Sequence, residues 1–167
     1  MKFADTLETT VFESPLGPMT LAASEQGLAG AWFEGDPHRP DTTVWPAAPV
    51  HPLLHQAVQQ LQAYFERQAT SFDLPLDLSS GTAFQQAVWR ALLELPHGSS
   101  TSYGALSARI GKPQAMRAVG AAIGRNPLAI IVPCHRVLGA DGSLTGYAGG
   151  LPRKIALLEL EGAYFRP

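Results

Sequence analysis

The stretch Thr101-Ser102-Tyr103-Gly104-Ala105-Leu106-Ser107-Ala108-Arg109-Ile110-Gly111-Lys112-Pro113-Gln114-Ala115-Met116-Arg117-Ala118-Val119-Gly120-Ala121-Ala122-Ile123-Gly124 decides the fold. Ser102 can cap a short helix from Tyr103 to Ile110, which Gly111 ends. After the turn Gly111-Lys112-Pro113, a second helix is expected from about Gln114 to Gly124, with Pro113 near its first position, where the missing N–H does no harm. Two short helices joined by a glycine-containing turn have helix-turn-helix spacing. The second helix is unusual in carrying Ala115, Ala118, Gly120, Ala121, Ala122 and Gly124. A reader of base edges in a wide groove needs Asn, Gln or several Arg instead. Small residues suit either close approach to a narrow groove or packing against another helix. Arg117 is the one long polar side chain at its middle, and Arg125 follows its end.

Upstream of this motif, Thr9 to Phe12, Met19 to Ala22 and Leu28 to Phe33 are strand-like, with a turn at Ser14-Pro15-Leu16-Gly17. The Pro-, Asp- and Thr-rich stretch 34–49 reads as a loop. His51-Pro52 then opens a helix with Leu54, Val58, Leu61 and Phe65 on one face. Leu74, Leu76 and Leu78 alternate as one more short strand. The expected class is α+β: an N-terminal lobe (1–80) with a small antiparallel sheet and a helix, then a mostly helical C-terminal lobe (81–167). That second lobe opens on a helix capped by Thr82, with Phe84, Val88, Leu92 and Leu95 at helical spacing.

The chain of 167 residues has a net charge of -2, but the charge is uneven. Residues 1–96 hold 4 Lys/Arg and 11 Asp/Glu, whereas residues 97–167 hold 8 and 3. No acid occurs between Glu94 and Asp141, a stretch that carries Arg109, Lys112, Arg117, Arg125 and Arg136. Such a surface can approach phosphates. With 1 Cys and 5 His at no ligand spacing, neither a disulfide nor a metal is expected. No segment has membrane-spanning or leader character, so the expected place is the cytoplasm, including the nucleoid.

Leu128 to Val132 is apolar and β-branched, bounded by Asn126-Pro127 and Pro133, and is expected as a buried strand leading to Cys134. A lone cysteine is usually packing. Here His135 and Arg136 can place positive charge beside the sulfur and favour the thiolate. Glu161, on the leucine side of the final helix, is a candidate to orient His135; a carboxylate there without a partner would be costly. Gly146-Tyr147-Ala148-Gly149-Gly150 has few side chains and suits close backbone approach to a flat ligand.

In order, Thr101-Ser102-Tyr103-Gly104, Arg117-Ala118-Val119-Gly120, Asn126-Pro127, Val132-Pro133-Cys134-His135-Arg136-Val137, Gly146-Tyr147-Ala148-Gly149-Gly150 and Leu160-Glu161-Gly162 resemble the DNA O6-alkylguanine alkyltransferases, or methylated-DNA-protein-cysteine methyltransferases. The resemblance implies that Cys134 accepts an alkyl group from O6-alkylguanine in double-stranded DNA and keeps it, with O4-alkylthymine left open as a second target. His135 would take the thiol proton through a water, Glu161 would orient His135, and Asn126 would be the hinge. Tyr103 would turn the target phosphate and bond the extruded base, and Arg117 would fill the gap in the stack. The helix bearing Ala115, Ala118 and Gly120 would lie in the minor groove. Val137, Tyr147, Ala148 and Arg136 would surround the base. A monomer working once, without cofactor, is implied. Lys154 matches a basic position of the family pattern with no role assigned. Two other readings compete: a non-catalytic helix-turn-helix protein or damage sensor, and a cysteine hydrolase using Cys134, His135 and Glu161.

Overall fold

The computed structural model describes residues 1–167. Strands β1 (Glu8–Ser14), β2 (Gly17–Ala23) and β3 (Leu28–Phe33) form an antiparallel sheet in the order β1-β2-β3. The first hairpin closes on the Ser14↔Gly17 pair, where Gly17 takes a φ of 112° that a side chain would resist. Every residue of β3 is buried. Its outer edge is covered by two foreign segments: Leu76 bridges to Leu28, and Leu128 bridges to Ala31. An exposed strand edge is thereby removed. The segment Leu74–Leu78 thus contributes one bridge in place of the short strand expected there.

Helix α1 (Pro52–Phe65) packs across the sheet. His51 caps it through Nδ1, which accepts the Leu53 N–H at 3.2 Å. Its fully packed face is Leu54, Ala57, Leu61 and Tyr64, while Val58 and Phe65 are half-buried. The apolar stripe is therefore turned slightly from the expected one, and it carries Tyr64 into the interior.

Helix α2 (Ala83–Leu93) begins with a reciprocal capping box between Thr82 and Gln85. Its Trp89 is fully buried and donates from Nε1 to the Ala122 carbonyl at 2.9 Å, fixing α2 against α4 (Met116–Gly124). Strand β4 (Thr101–Ser102) leads into α3 (Tyr103–Arg109), capped by the Ser102 hydroxyl and ended near Gly111 at φ 73°. Helix α4 starts at Met116, two residues later than expected, because residues 112–115 form a turn closed by the Ala115 N–H on the Lys112 carbonyl. Strand β5 (Val137–Leu138) pairs parallel with β4, and α5 (Leu151–Glu161) ends at Gly162 in the left-handed conformation. One core cluster of 29 buried residues draws on the sheet, α1, α2, α3, α4 and α5 together. No helix is long and apolar enough to cross a membrane.

Candidate active site

The run Leu128–Val132 is buried, but it is a turn and not the strand expected. Ala31 donates to the Pro127 carbonyl at 2.8 Å and accepts the Ala129 N–H at 2.9 Å, after which the chain reverses. Ile130 sits at φ 73°, a region that a β-branched residue occupies only when its surroundings impose it. Asn126 imposes it. Its Oδ1 accepts the Leu128 N–H at 2.9 Å and its Nδ2 donates to the Val132 carbonyl at 2.8 Å, so one side chain spans the turn.

The turn delivers Cys134 as the first residue of a single 3₁₀ turn, Cys134–Arg136. Within that turn, successive side chains diverge. Cys134 borders a cavity of about 290 Å³, whereas His135 and Arg136 point to α5. Glu161 is buried and collects four hydrogen bonds: from Tyr64 Oη (2.8 Å), His135 Nε2 (2.7 Å), Arg136 Nε (2.9 Å) and Arg136 Nη2 (2.8 Å). Arg136 Nη1 donates to the Leu95 carbonyl at 2.6 Å.

The electrostatics assign the protons. Burial alone would raise the Glu161 pKa, but the hydrogen bonds and charges of His135 and Arg136 outweigh it and hold the carboxyl well below the usual carboxylate range. Glu161 is thus an anion that only accepts, so His135 Nε2 carries a proton. Burial lowers the His135 pKa, and the pull of Glu161 in the other direction does not restore it. The ring is therefore neutral near pH 7, and its Nδ1 is a bare lone pair. That Nδ1 is buried and has no hydrogen-bond partner.

The sulfur's surroundings differ from the expected ones. Burial pushes the Cys134 thiol up, and what pulls it back is the Asn126 amide and the charge of Lys154. His135 is neutral and Arg136 is neutralised by Glu161, so neither supplies the positive charge expected of them. Lys154 is fully buried and donates from Nζ to the Val137 carbonyl at 2.6 Å. Burial lowers its pKa to about 8, with the neighbouring Cys134 opposing.

Tyr103, Gly120, Gly124, Gly146, Tyr147 and Ala148 border the cavity with Cys134. Nothing lies within 4 Å of where a Cβ would stand at Gly124 or Gly146, so these glycines leave the space open. Tyr103 Oη accepts from Thr145 Oγ1 at 2.8 Å, and the buried Tyr147 hydroxyl has no partner. Arg136 does not border this cavity, contrary to expectation; it lines a separate cleft behind the turn with Leu95 and His97. Val137 is fully buried and, contrary to expectation, does not border the cavity either.

On α4 the buried face is Val119, Ala122 and Ile123, and the exposed face holds Arg117, Ala118, Ala121 and, beyond its end, Arg125. Ala115, at the start, is half-buried. Helix packing therefore accounts for Ala122 but not for Ala118 or Ala121, which lie exposed on the solvent side together with the larger Met116. Arg117 makes no ion pair. Sequence reasoning missed Tyr64, whose signal was its place ten residues after Leu54 on α1, and His38, which also borders the cavity.

Comparison with known proteins agrees with this geometry. Residues 7–78 match the 6-O-methylguanine DNA methyltransferase, ribonuclease-like domain, and residues 83–163 match the DNA binding domain of the same name. A methylated-DNA–protein-cysteine methyltransferase of Mycobacterium tuberculosis is 52% identical over 89% of this chain and 88% of its own length. One from Methanosarcina acetivorans is 48% identical over 92% and 97%. A Mycobacterium tuberculosis OGT crystallised in complex with DNA superposes with a TM-score of 0.85 at 50% identity, covering 93% of this chain and 92% of that one. With both family models matched in order and relatives about half identical over most of the chain, this chain belongs to the methylated-DNA–protein-cysteine methyltransferase family.

Proposed function

We propose that the protein repairs double-stranded DNA by moving a methyl or other alkyl group from the 6-oxygen of guanine onto Cys134, once per molecule. The observation that carries this reading is the position of Cys134 in a cavity that also includes Gly120 and Gly124 of α4, a helix whose exposed residues are Met116, Arg117, Ala118 and Ala121, with one charge among them. A sulfur at that depth cannot reach a stacked base, so the base must leave the duplex, which costs a few kcal/mol. A minor groove, poor in sequence information, suits a repair protein that acts at any sequence. Arg117, exposed and without an ion pair, is the side chain assigned to fill the vacated position, a role its exposure supports. Tyr103 is assigned to the extruded nucleoside, which its place at the border of the cavity supports.

The chemistry follows from the proton assignments. The Cys134 thiol gives its proton to the bare Nδ1 of His135 through a bridging water, and Glu161 steadies the imidazolium that forms. The thiolate attacks the alkyl carbon in line, the carbon–O6 bond breaks, and its electron pair stays on guanine, which regains a proton from the site or from solvent. A thioether remains on Cys134. Water does not displace a thioether sulfur readily, so the site is consumed, and no cofactor is called for. The protein is read as a monomer of the cytoplasm.

Cys134→Ser tests the reading against a sensor and a hydrolase. The variant is expected to bind an O6-methylguanine duplex as the native protein does while transferring no methyl group. Transfer by the variant, or repeated turnover by the native protein, contradicts the proposal.

A further inference from the structure

Eight of the residues bordering the Cys134 cavity come from the C-terminal half of the chain, and one, His38, comes from the loop that follows β3. That loop is tied down. The Asp36 carboxylate accepts the His38 N–H at 2.8 Å, and the Asp36 carbonyl accepts the Arg39 N–H at 3.1 Å. Arg39 Nη2 reaches Thr20 at 3.2 Å and Thr42 at 3.0 Å, anchoring the loop on the sheet.

Arg153, near the start of α5, closes the other side. Its Nη1 donates to the Glu34 carbonyl at 3.2 Å and to the Gly149 carbonyl at 3.1 Å, its Nε donates to Leu16, and its guanidinium lies 4.5 Å over the Phe33 ring. A Cβ at Gly149 would stand 3.3 Å from Phe33, so the Tyr147–Gly150 loop rests directly on β3. The His38 imidazole, by contrast, makes no hydrogen bond within the protein. A half-buried ring on a fixed loop, facing a cavity and bonded to nothing, limits volume.

We propose that His38 is a specificity-determining residue: it is the N-terminal lobe's wall of the cavity, and it limits the size of the alkyl group that O6-alkylguanine can bring to Cys134. This rests on the alkyl-transfer reading above. A cavity of about 290 Å³ is at the small end for ligand sites, so one ring at its border decides what fits beside the base. The N-terminal lobe then does more than support the catalytic one.

The test compares transfer rates from O6-methylguanine and O6-benzylguanine in the same duplex for the native protein, His38→Ala and His38→Phe. His38→Ala is expected to raise the benzyl-to-methyl rate ratio about tenfold or more, the scale on which pockets discriminate by volume. His38→Phe, which keeps a ring and makes it somewhat larger, is expected to hold the native ratio or lower it. An unchanged ratio in His38→Ala overturns the proposal. So does a His38→Phe ratio that rises as the alanine ratio does, which would assign the effect to the ring nitrogens. Failure of the native protein to transfer either group to Cys134 would instead overturn the alkyl-transfer reading itself.

Discussion

The two sides of the His135 ring are built in opposite ways. Beyond Nε2, Glu161 has its two oxygens filled by four hydrogen bonds from three side chains. The Nδ1 atom, by contrast, is buried without a partner, as is the Tyr147 hydroxyl among the residues that border the cavity. A buried polar group left unpaired costs about 1–3 kcal/mol, and native structures keep few of them. The saturated side fixes where one proton sits, and the unsaturated side leaves a lone pair available for another. Rigid positioning and chemical readiness are thus divided across a single imidazole.

Breaking the saturated side should have the largest effect on the fold. Glu161→Ala leaves a buried guanidinium and an imidazole uncompensated, and denaturant unfolding is expected to show a loss of about 3–5 kcal/mol. A loss under about 1 kcal/mol would mean that the cluster is slack. Asn126→Ala acts between the two sides, removing the bonds that hold the Ile130 turn. It is expected to lower stability by about 2–3 kcal/mol, and to slow transfer by more than the stability loss accounts for, because Cys134 sits directly after the turn.

Acid sharpens the comparison with the sign fixed in advance. The folded protein holds His135 below its ordinary 6.5, so below that pH the unfolded chain takes up the proton first and stability falls. Glu161, held below its ordinary 4.5, stabilises the fold above that value, and its contribution is lost as pH drops through the depressed folded pKa. Unfolding free energy measured from neutral pH downward is therefore expected to decline in two stages, with the second missing in Glu161→Gln. Tyr64→Phe should have the smallest effect, about 1.5 kcal/mol by thermal or denaturant unfolding, since Glu161 keeps its three other hydrogen bonds.

Much of the site was legible because its signals are local. Cys134 and His135 are neighbours, and the capped helices and Gly162 mark their own ends. Glu161 could be placed by its position relative to Leu157 and Leu158, since helical spacing says which residues share a face. Tyr64 was missed because two apolar stripes on α1 differ by one residue at alternate positions, and only packing against the sheet chooses between them. Leu128–Val132 has the composition of a strand, but only its first two residues find a partner, at Ala31; Asn126 replaces the remaining ladder with side-chain bonds. Arg136 follows Cys134 closely and is expected to bring charge to the sulfur, yet a 3₁₀ turn sends it toward Glu161. His38 lies in a Pro- and Asp-rich loop with no periodic signal, and only the tertiary fold brings it to the cysteine.

The proposed chemistry makes Cys134 a reagent consumed in one transfer. The most direct measurement is the intact mass and peptide map of the protein after incubation with a duplex containing one O6-methylguanine. The expected result is a gain of one methyl group in place of the sulfur proton, on the peptide containing Cys134, with no more than one guanine repaired per protein molecule. An unchanged mass, a methyl group on another residue, or repair of many guanines per molecule would contradict it.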